Sequence, residues 1–154
     1  MRQLLAIASM AAMIAVPFSV QAQAQSPFAK PEDAVKYRQS AFSILGTHTG
    51  RVGAVVKGDK PYDKAAVEAD VAVMETMSKL PWSAFPAGSD LPNSKAKPEI
   101  WKEQDKFKAA AEKMQGEVSK LSTAAKSGDL NAIKTAFGAV GQSCKACHDN
   151  YRNK

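Results

Sequence analysis

The chain has 154 residues, with 21 lysines and arginines against 15 acidic side chains, a formal net charge of +6. That length suits one domain with a buried core. The basic excess is scattered, with no basic cluster and no interleaved aromatic platform, which argues against nucleic-acid binding. It reads as a soluble, like-charged surface, with attraction to an acidic partner as the sharper alternative.

The chain opens with Arg2, an apolar run from Leu4 to Val20, and Ala22-Gln23-Ala24. A basic start, an apolar middle and a small-x-small exit make a secretory signal. A membrane anchor is the competing reading, weakened by Pro17 and Ser19 and by a run shorter than the ~20 residues of a spanning helix. The expected organisation is a cleaved signal over 1–24 and one mature domain over 25–154, exported to the periplasm. No membrane span is expected after cleavage. The mature chain keeps 20 basic and 15 acidic side chains, net +5.

Proline and glycine divide the mature region into four segments. The first begins at Lys30-Pro31-Glu32-Asp33, a proline suited to the first helical turn followed by acids that match the helix dipole, and runs to Lys57-Gly58. Its apolar stripe is Val35, Arg38, Phe42, Leu45, Thr49, Val52 and Val56. The second opens at Asp59-Lys60-Pro61 and lasts to about Leu80, with one stripe of Val67, Val71 and Met74 and another of Ala66, Val73, Met77 and Leu80. Pro81, Pro86, Gly88, Pro92 and Pro98 mark a connection long for a helical fold, in which Trp82 and Phe85 suggest packing rather than a loose tether. The third runs from Pro98-Glu99 to Ser127-Gly128 on Phe107, Ala111, Met114, Val118 and Leu121. Asp129 caps the fourth, whose stripe is Leu130, Ile133, Phe137, Val140, Cys144, Cys147 and Tyr151. Steps of three and four dominate and no stretch has a period of two. The expected fold is all-α, an antiparallel four-helix bundle.

Cys144-Lys145-Ala146-Cys147-His148 is a C-x-x-C-H sequence, the haem attachment pattern. Residues three apart share a helix face, so both thiols reach the vinyl groups on one porphyrin edge. His148, four after Cys144, turns beneath the same porphyrin and offers a nitrogen to the iron. Three other readings compete. A thioredoxin-like dithiol needs a strand-turn-helix setting. A structural zinc site needs four ligands, and His48 is far away in sequence. A disulfide would close a very short loop and stabilise little. The export signal, the absence of other cysteines and the position of both thiols on the core-facing stripe favour one covalent haem c.

With that motif in place the chain resembles cytochrome c′, the class II c-type cytochromes. The resemblance runs through Phe28-Ala29-Lys30-Pro31-Glu32-Asp33-Ala34-Val35-Lys36-Tyr37-Arg38-Gln39-Ser40-Ala41, Val55-Val56-Lys57-Gly58, Leu80-Pro81-Trp82, Pro98-Glu99-Ile100-Trp101 and Cys144 to Arg152. It implies that Arg38 and Gln39 contact the haem edge, where a guanidinium would suit a propionate. The bare residue reading of Arg38 is a snorkelling surface cation. The resemblance further implies that Phe42 faces the iron opposite His148, leaving it five-coordinate, and that Arg152 lies in the proximal pocket. Read from the residues alone, Phe42 is core and Arg152 a helix-end cation. Some relatives place a methionine on the first helix and carry electrons; this first segment has none, and Met74, Met77 and Met114 read as core filler. His48 reads as solvent-facing. Trp82, Trp101 and Tyr151 either pack on the haem or fill the core. The loop around Ser94 and Lys95 differs in length from relatives, leaving haem-edge contacts there unassigned.

The expected function is therefore a haem protein that binds diatomic gases, nitric oxide before carbon monoxide, and undergoes one-electron redox change. The alternative is a simple electron carrier with a redox partner protein. Phe42 offers no acid–base group for peroxidase chemistry, so no enzymatic role is expected. Tyr37, Ala41, Ile44 and Val55 form a second apolar row on the first segment, which predicts a two-fold homodimer.

Overall fold

The computed structural model describes residues 26–154, so the expected export signal over 1–24 lies outside the described residues. Helix α1 spans Pro31–Lys57, with Pro31 in its first turn and Glu32 and Asp33 beside it. It closes on Gly58, whose φ of 87° admits glycine readily. The Gly58 N–H donates to the Val55 carbonyl at 3.0 Å and the Asp59 N–H to the Ala54 carbonyl at 2.9 Å, satisfying the last carbonyls in a Schellman motif.

Helix α2 spans Lys64–Met77. The sequence reading opened it at Asp59, but the N–H groups of Asp59 and Lys60 are engaged in closing α1. The working cap is Asp63, whose carboxylate accepts from the Ala66 N–H at 3.1 Å. The helix also ends before the expected Leu80. Pro81 has no N–H to extend the ladder, and the chain tightens instead into a 3₁₀ turn over Pro81–Ala84.

The third segment is not one helix. A single turn, α3 (Glu99–Lys102), is separated from α4 (Gln104–Ser127) by Glu103 at φ −123°, ψ 47°. The turn before the break places Ile100 in a small core and lets the Trp101 indole donate to the Phe85 and Pro86 carbonyls at 3.1 and 3.0 Å. Tertiary contacts, not helix propensity, set that break. Helix α5 (Leu130–Tyr151) follows α4 after two residues, with the Asp129 carboxylate accepting from the N–H groups of Asn131 and Ala132.

So short a link makes α4 and α5 antiparallel neighbours. The remaining packing pairs α1 with α2, α2 with α4 and α1 with α5, closing a four-helix bundle. Leu45, Val52, Val67, Val71, Met74, Met114, Val118, Leu121, Ile133 and Val140 form its core, with contributions from all four long helices. At one end Ile100, Phe107 and Tyr151 form a second cluster with Trp82, Phe85, Trp101 and Cys147 packed on it. Of the second stripe read on this segment, Ala66 and Leu80 are exposed, whereas Met77 packs against the core.

Candidate haem site

Cys144, Cys147 and His148 lie in the last two turns of α5. Cys144 packs against the main core and Cys147 against the smaller cluster, so the thiols straddle the seam between them. Burial pushes both thiols above their ordinary pKa; the Ser143 hydroxyl opposes this at Cys144, and the neighbouring Cys144 adds to it at Cys147. Thiols held in the protonated form lack the activated character of a redox dithiol. His148 is exposed at the surface. Desolvation first, then the Arg152 cation, holds its imidazole below the usual range, against the pull of Asp149. A neutral imidazole is the form that binds a metal.

Aromatic rings wall this region. Phe42 on α1 packs on the core cluster that contains Cys144 and meets Trp82 edge-on, centroids 5.7 Å apart. Trp82 leads to Phe107 at 5.7 Å, and Phe107 to Tyr151 at 5.2 Å and Phe85 at 4.9 Å. The Trp82 indole is fixed by a 2.6 Å bond to the Ser78 carbonyl. Trp82 thus spans both clusters, linking α1 to the C-terminal end of α5.

Arg38 does not snorkel. It is 3% exposed, and both terminal NH₂ groups are engaged by the connection. One donates to the Ala84 carbonyl (2.6 Å) and the Ser89 hydroxyl (2.8 Å), the other to the Ser89 carbonyl (2.5 Å) and the Ser94 hydroxyl (2.8 Å). The guanidinium also sits 4.5 Å above the Phe85 ring. Gln39 donates to the Asn93 carbonyl at 3.0 Å. Both side chains therefore bind down the loop that carries Trp82 and Phe85. No sequence signal singled out Ser89 or Ser94 as the acceptors; the only hint was that Trp82 and Phe85 required the loop to pack.

His48 is not solvent-facing. Its Nδ1 lies 2.6 Å from Asp70 Oδ1, with side chains 19% and 18% exposed, and Arg51 approaches the same oxygen at 3.4 Å. The contact ties α1 to α2, far from the cysteines in the chain. Ala41, assigned to the outer row of α1, is buried within the bundle, whereas Tyr37 and Ile44 are 39% and 43% exposed.

Two thiols one turn apart, an adjacent imidazole and apolar walls fit a covalently held porphyrin. Among the described residues no three His, Cys, Asp or Glu side chains gather as a metal cluster, and a porphyrin supplies the remaining donors itself. Residues 33–152 match the family model described as cytochrome C′. The chain is 53% identical over 127 residues to cytochrome c′ of Alcaligenes xylosoxydans xylosoxydans, covering 82% of this chain and 98% of that one. It is 44% identical over 128 residues to cytochrome c′ of Rubrivivax gelatinosus, covering 82% and 99%. The chain belongs to the cytochrome c′ family.

Solved cytochrome c′ structures agree in architecture. The Rubrivivax gelatinosus structure superposes with a TM-score of 0.79 at 44% identity, over 82% of this chain and 99% of that one. Substituted forms of the Alcaligenes xylosoxidans cytochrome c′ in complex with nitric oxide and with carbon monoxide each give 0.78 at 53% identity, over 82% of this chain and 98% and 99% of those. As a cytochrome c′ the chain carries covalent haem c, and the pair Cys144 and Cys147 is its whole cysteine complement.

Proposed function

We propose that this cytochrome c′ is an exported, periplasmic gas-binding haem protein. Residues 1–24 direct export and are removed; among the described residues no helix is long and apolar enough to cross a membrane. Cys144 and Cys147 would hold the haem through two thioethers, and His148 would bind its iron. The haem supplies an iron that binds diatomic gases and changes oxidation state by one electron. Phe42 would cover the gas-binding side of the haem, and Arg152 would lie beside His148, on whose imidazole its cation already acts. Arg38 and Gln39 position the haem edge through the loop they hold.

The observation that carries this reading is Phe42. It stands on α1 in the cluster that receives Cys144, locked edge-on by Trp82. It has no atom to offer a metal, and α1 contains no methionine. With His148 holding the iron, a gas approaching from the Phe42 side would have to move a packed ring. Displacing a side chain from a filled site costs about 1–3 kcal/mol, roughly 10- to 100-fold in rate. Carbon monoxide, confined to that face, binds slowly. Nitric oxide would be the favoured ligand. Phe42→Ala should speed carbon monoxide binding to the ferrous holoprotein by about tenfold or more in stopped-flow mixing, with haem attachment unchanged. An unchanged rate would make Phe42 ordinary core.

Tyr37 and Ile44 leave an apolar patch on α1, and we infer that it pairs two copies through α1 and α2 about a two-fold axis. Sedimentation at tens of micromolar should show a dimer, and a monomer would refute the pairing.

A further inference from the structure

Helix α5 ends against the connection. Arg152 pairs with Ala96 in an antiparallel bridge, the Lys97 N–H donates to the Tyr151 carbonyl at 3.0 Å, and the Asn153 N–H donates to the Lys95 carbonyl at 2.8 Å. This pairing sets Lys95 and Lys97 beside Arg152 and Lys154, just past His148. Lys97 Nζ also donates to the Asp149 carbonyl at 2.8 Å. Lys145, one turn earlier on α5, donates to Asp149 Oδ2 at 2.5 Å.

Five cationic side chains, Lys95, Lys97, Lys145, Arg152 and Lys154, therefore lie at this end of the chain with Asp149, whose carboxylate Lys145 engages. The end keeps a net +4 in side-chain charge, out of +5 for the whole mature chain. On α4, Lys106, Lys108 and Lys120 each pair with an acid, Glu103, Glu112 and Glu117 in turn. The cationic group lies where α5 carries the attachment motif.

Large exposed apolar side chains are Tyr37, Ile44 and Leu80, none of them in this group, so the surface has no apolar anchor to enter a lipid layer. Lys145 and Asp149 are exposed, at 76% and 59%. Flexible, strongly hydrated ammonium groups without an apolar centre suit brief, salt-sensitive encounters rather than a permanent interface. We propose that Lys95, Lys97, Lys145 and Lys154 form the docking face for an acidic redox protein that exchanges electrons with this cytochrome. The proposal rests on the assignment of the haem to Cys144, Cys147 and His148.

The test uses holoprotein and a plant-type [2Fe–2S] ferredoxin as the acidic probe. Zero-length carbodiimide coupling at low salt, mapped by mass spectrometry, should join ferredoxin carboxylates to Lys95, Lys145 or Lys154. The combined Lys95→Glu, Lys145→Glu and Lys154→Glu variant should weaken binding by about 10- to 100-fold in calorimetry. A control with Lys108→Glu, Lys113→Glu and Lys126→Glu has the same net charge and should lose less than about threefold, with the difference removed at 0.5 M salt. Cross-links confined to other lysines, or equal losses in both variants, would overturn the proposal. So would loss of binding to phosphatidylglycerol vesicles with ferredoxin binding intact, which would assign the face to lipid. Failure of the haem assignment would appear separately, as an intact mass without haem, because the cross-link map does not depend on the iron.

Discussion

Arg38→Met removes the fork that ties α1 to the connection while keeping most of the side-chain stem. Ala84 and Ser89 are fully buried, so both carbonyls lose their partner where water cannot replace it. The two serine hydroxyls fare better: Ser89 Oγ still donates to the Pro86 carbonyl at 2.8 Å, and Ser94 Oγ still accepts from the Ala96 N–H at 3.1 Å. Two orphaned acceptors cost about 1–3 kcal/mol each. The lost contact with Phe85 adds roughly 0.5–2 kcal/mol. Relief of the cation's desolvation, which already lowers the Arg38 pKa against the pull of Asp90, returns part of this sum. The expected net loss is about 3 kcal/mol, a fall of about 10 °C in melting temperature for a domain of this size. Far-UV circular dichroism gives the melting temperature of the holoprotein, and tryptophan fluorescence reports on Trp82 and Trp101, which the loop holds. Arg38→Lys should not rescue, because one ammonium cannot reproduce a planar fork. A loss below about 1 kcal/mol, against the 1–3 kcal/mol for one unmet buried acceptor, would refute the clamp.

Gly53 is where α1 meets α5: a Cβ there would lie 3.2 Å from the Phe137 ring. Gly53→Leu should cost about 1–3 kcal/mol through overpacking, whereas Gly116→Ala, with nothing within 4 Å of the new methyl, should gain about 0.8–1 kcal/mol in helix propensity. Chemical denaturation of both variants checks the contrast, and equal signs would refute the close approach. Asp129→Ala removes the acceptor for the Asn131 and Ala132 N–H groups and should cost about 1 kcal/mol, while Asp129→Asn should retain most of that stability in the same assay.

The attachment motif was legible because it is local. Cys144, Cys147 and His148 are defined by spacing along one helix, and a helix fixes which residues share a face. The bundle was legible for the same reason: Val67, Val71 and Met74, or Ala111, Met114, Val118 and Leu121, mark a buried stripe by period alone, and the structure buries them. Helix ends bound by glycine or a capping aspartate, at Gly58, Gly128 and Asp129, were equally readable.

What the sequence left open depends on partners distant along the chain. The α3–α4 break at Glu103 follows from Trp101 reaching Phe85 and Pro86. Nothing in the local sequence excludes a continuous helix there. His48 was placed in solvent because Asp70, its partner, lies 22 residues away on another helix. Taken from its residue alone, Arg38 was read as a stripe residue whose head seeks water, yet its acceptors are two serines and an alanine carbonyl 46 to 56 residues on. Periodicity records which face of an element is buried. It carries no record of which buried polar group meets which, because that pairing is set by the packing of the elements, after each face has been chosen.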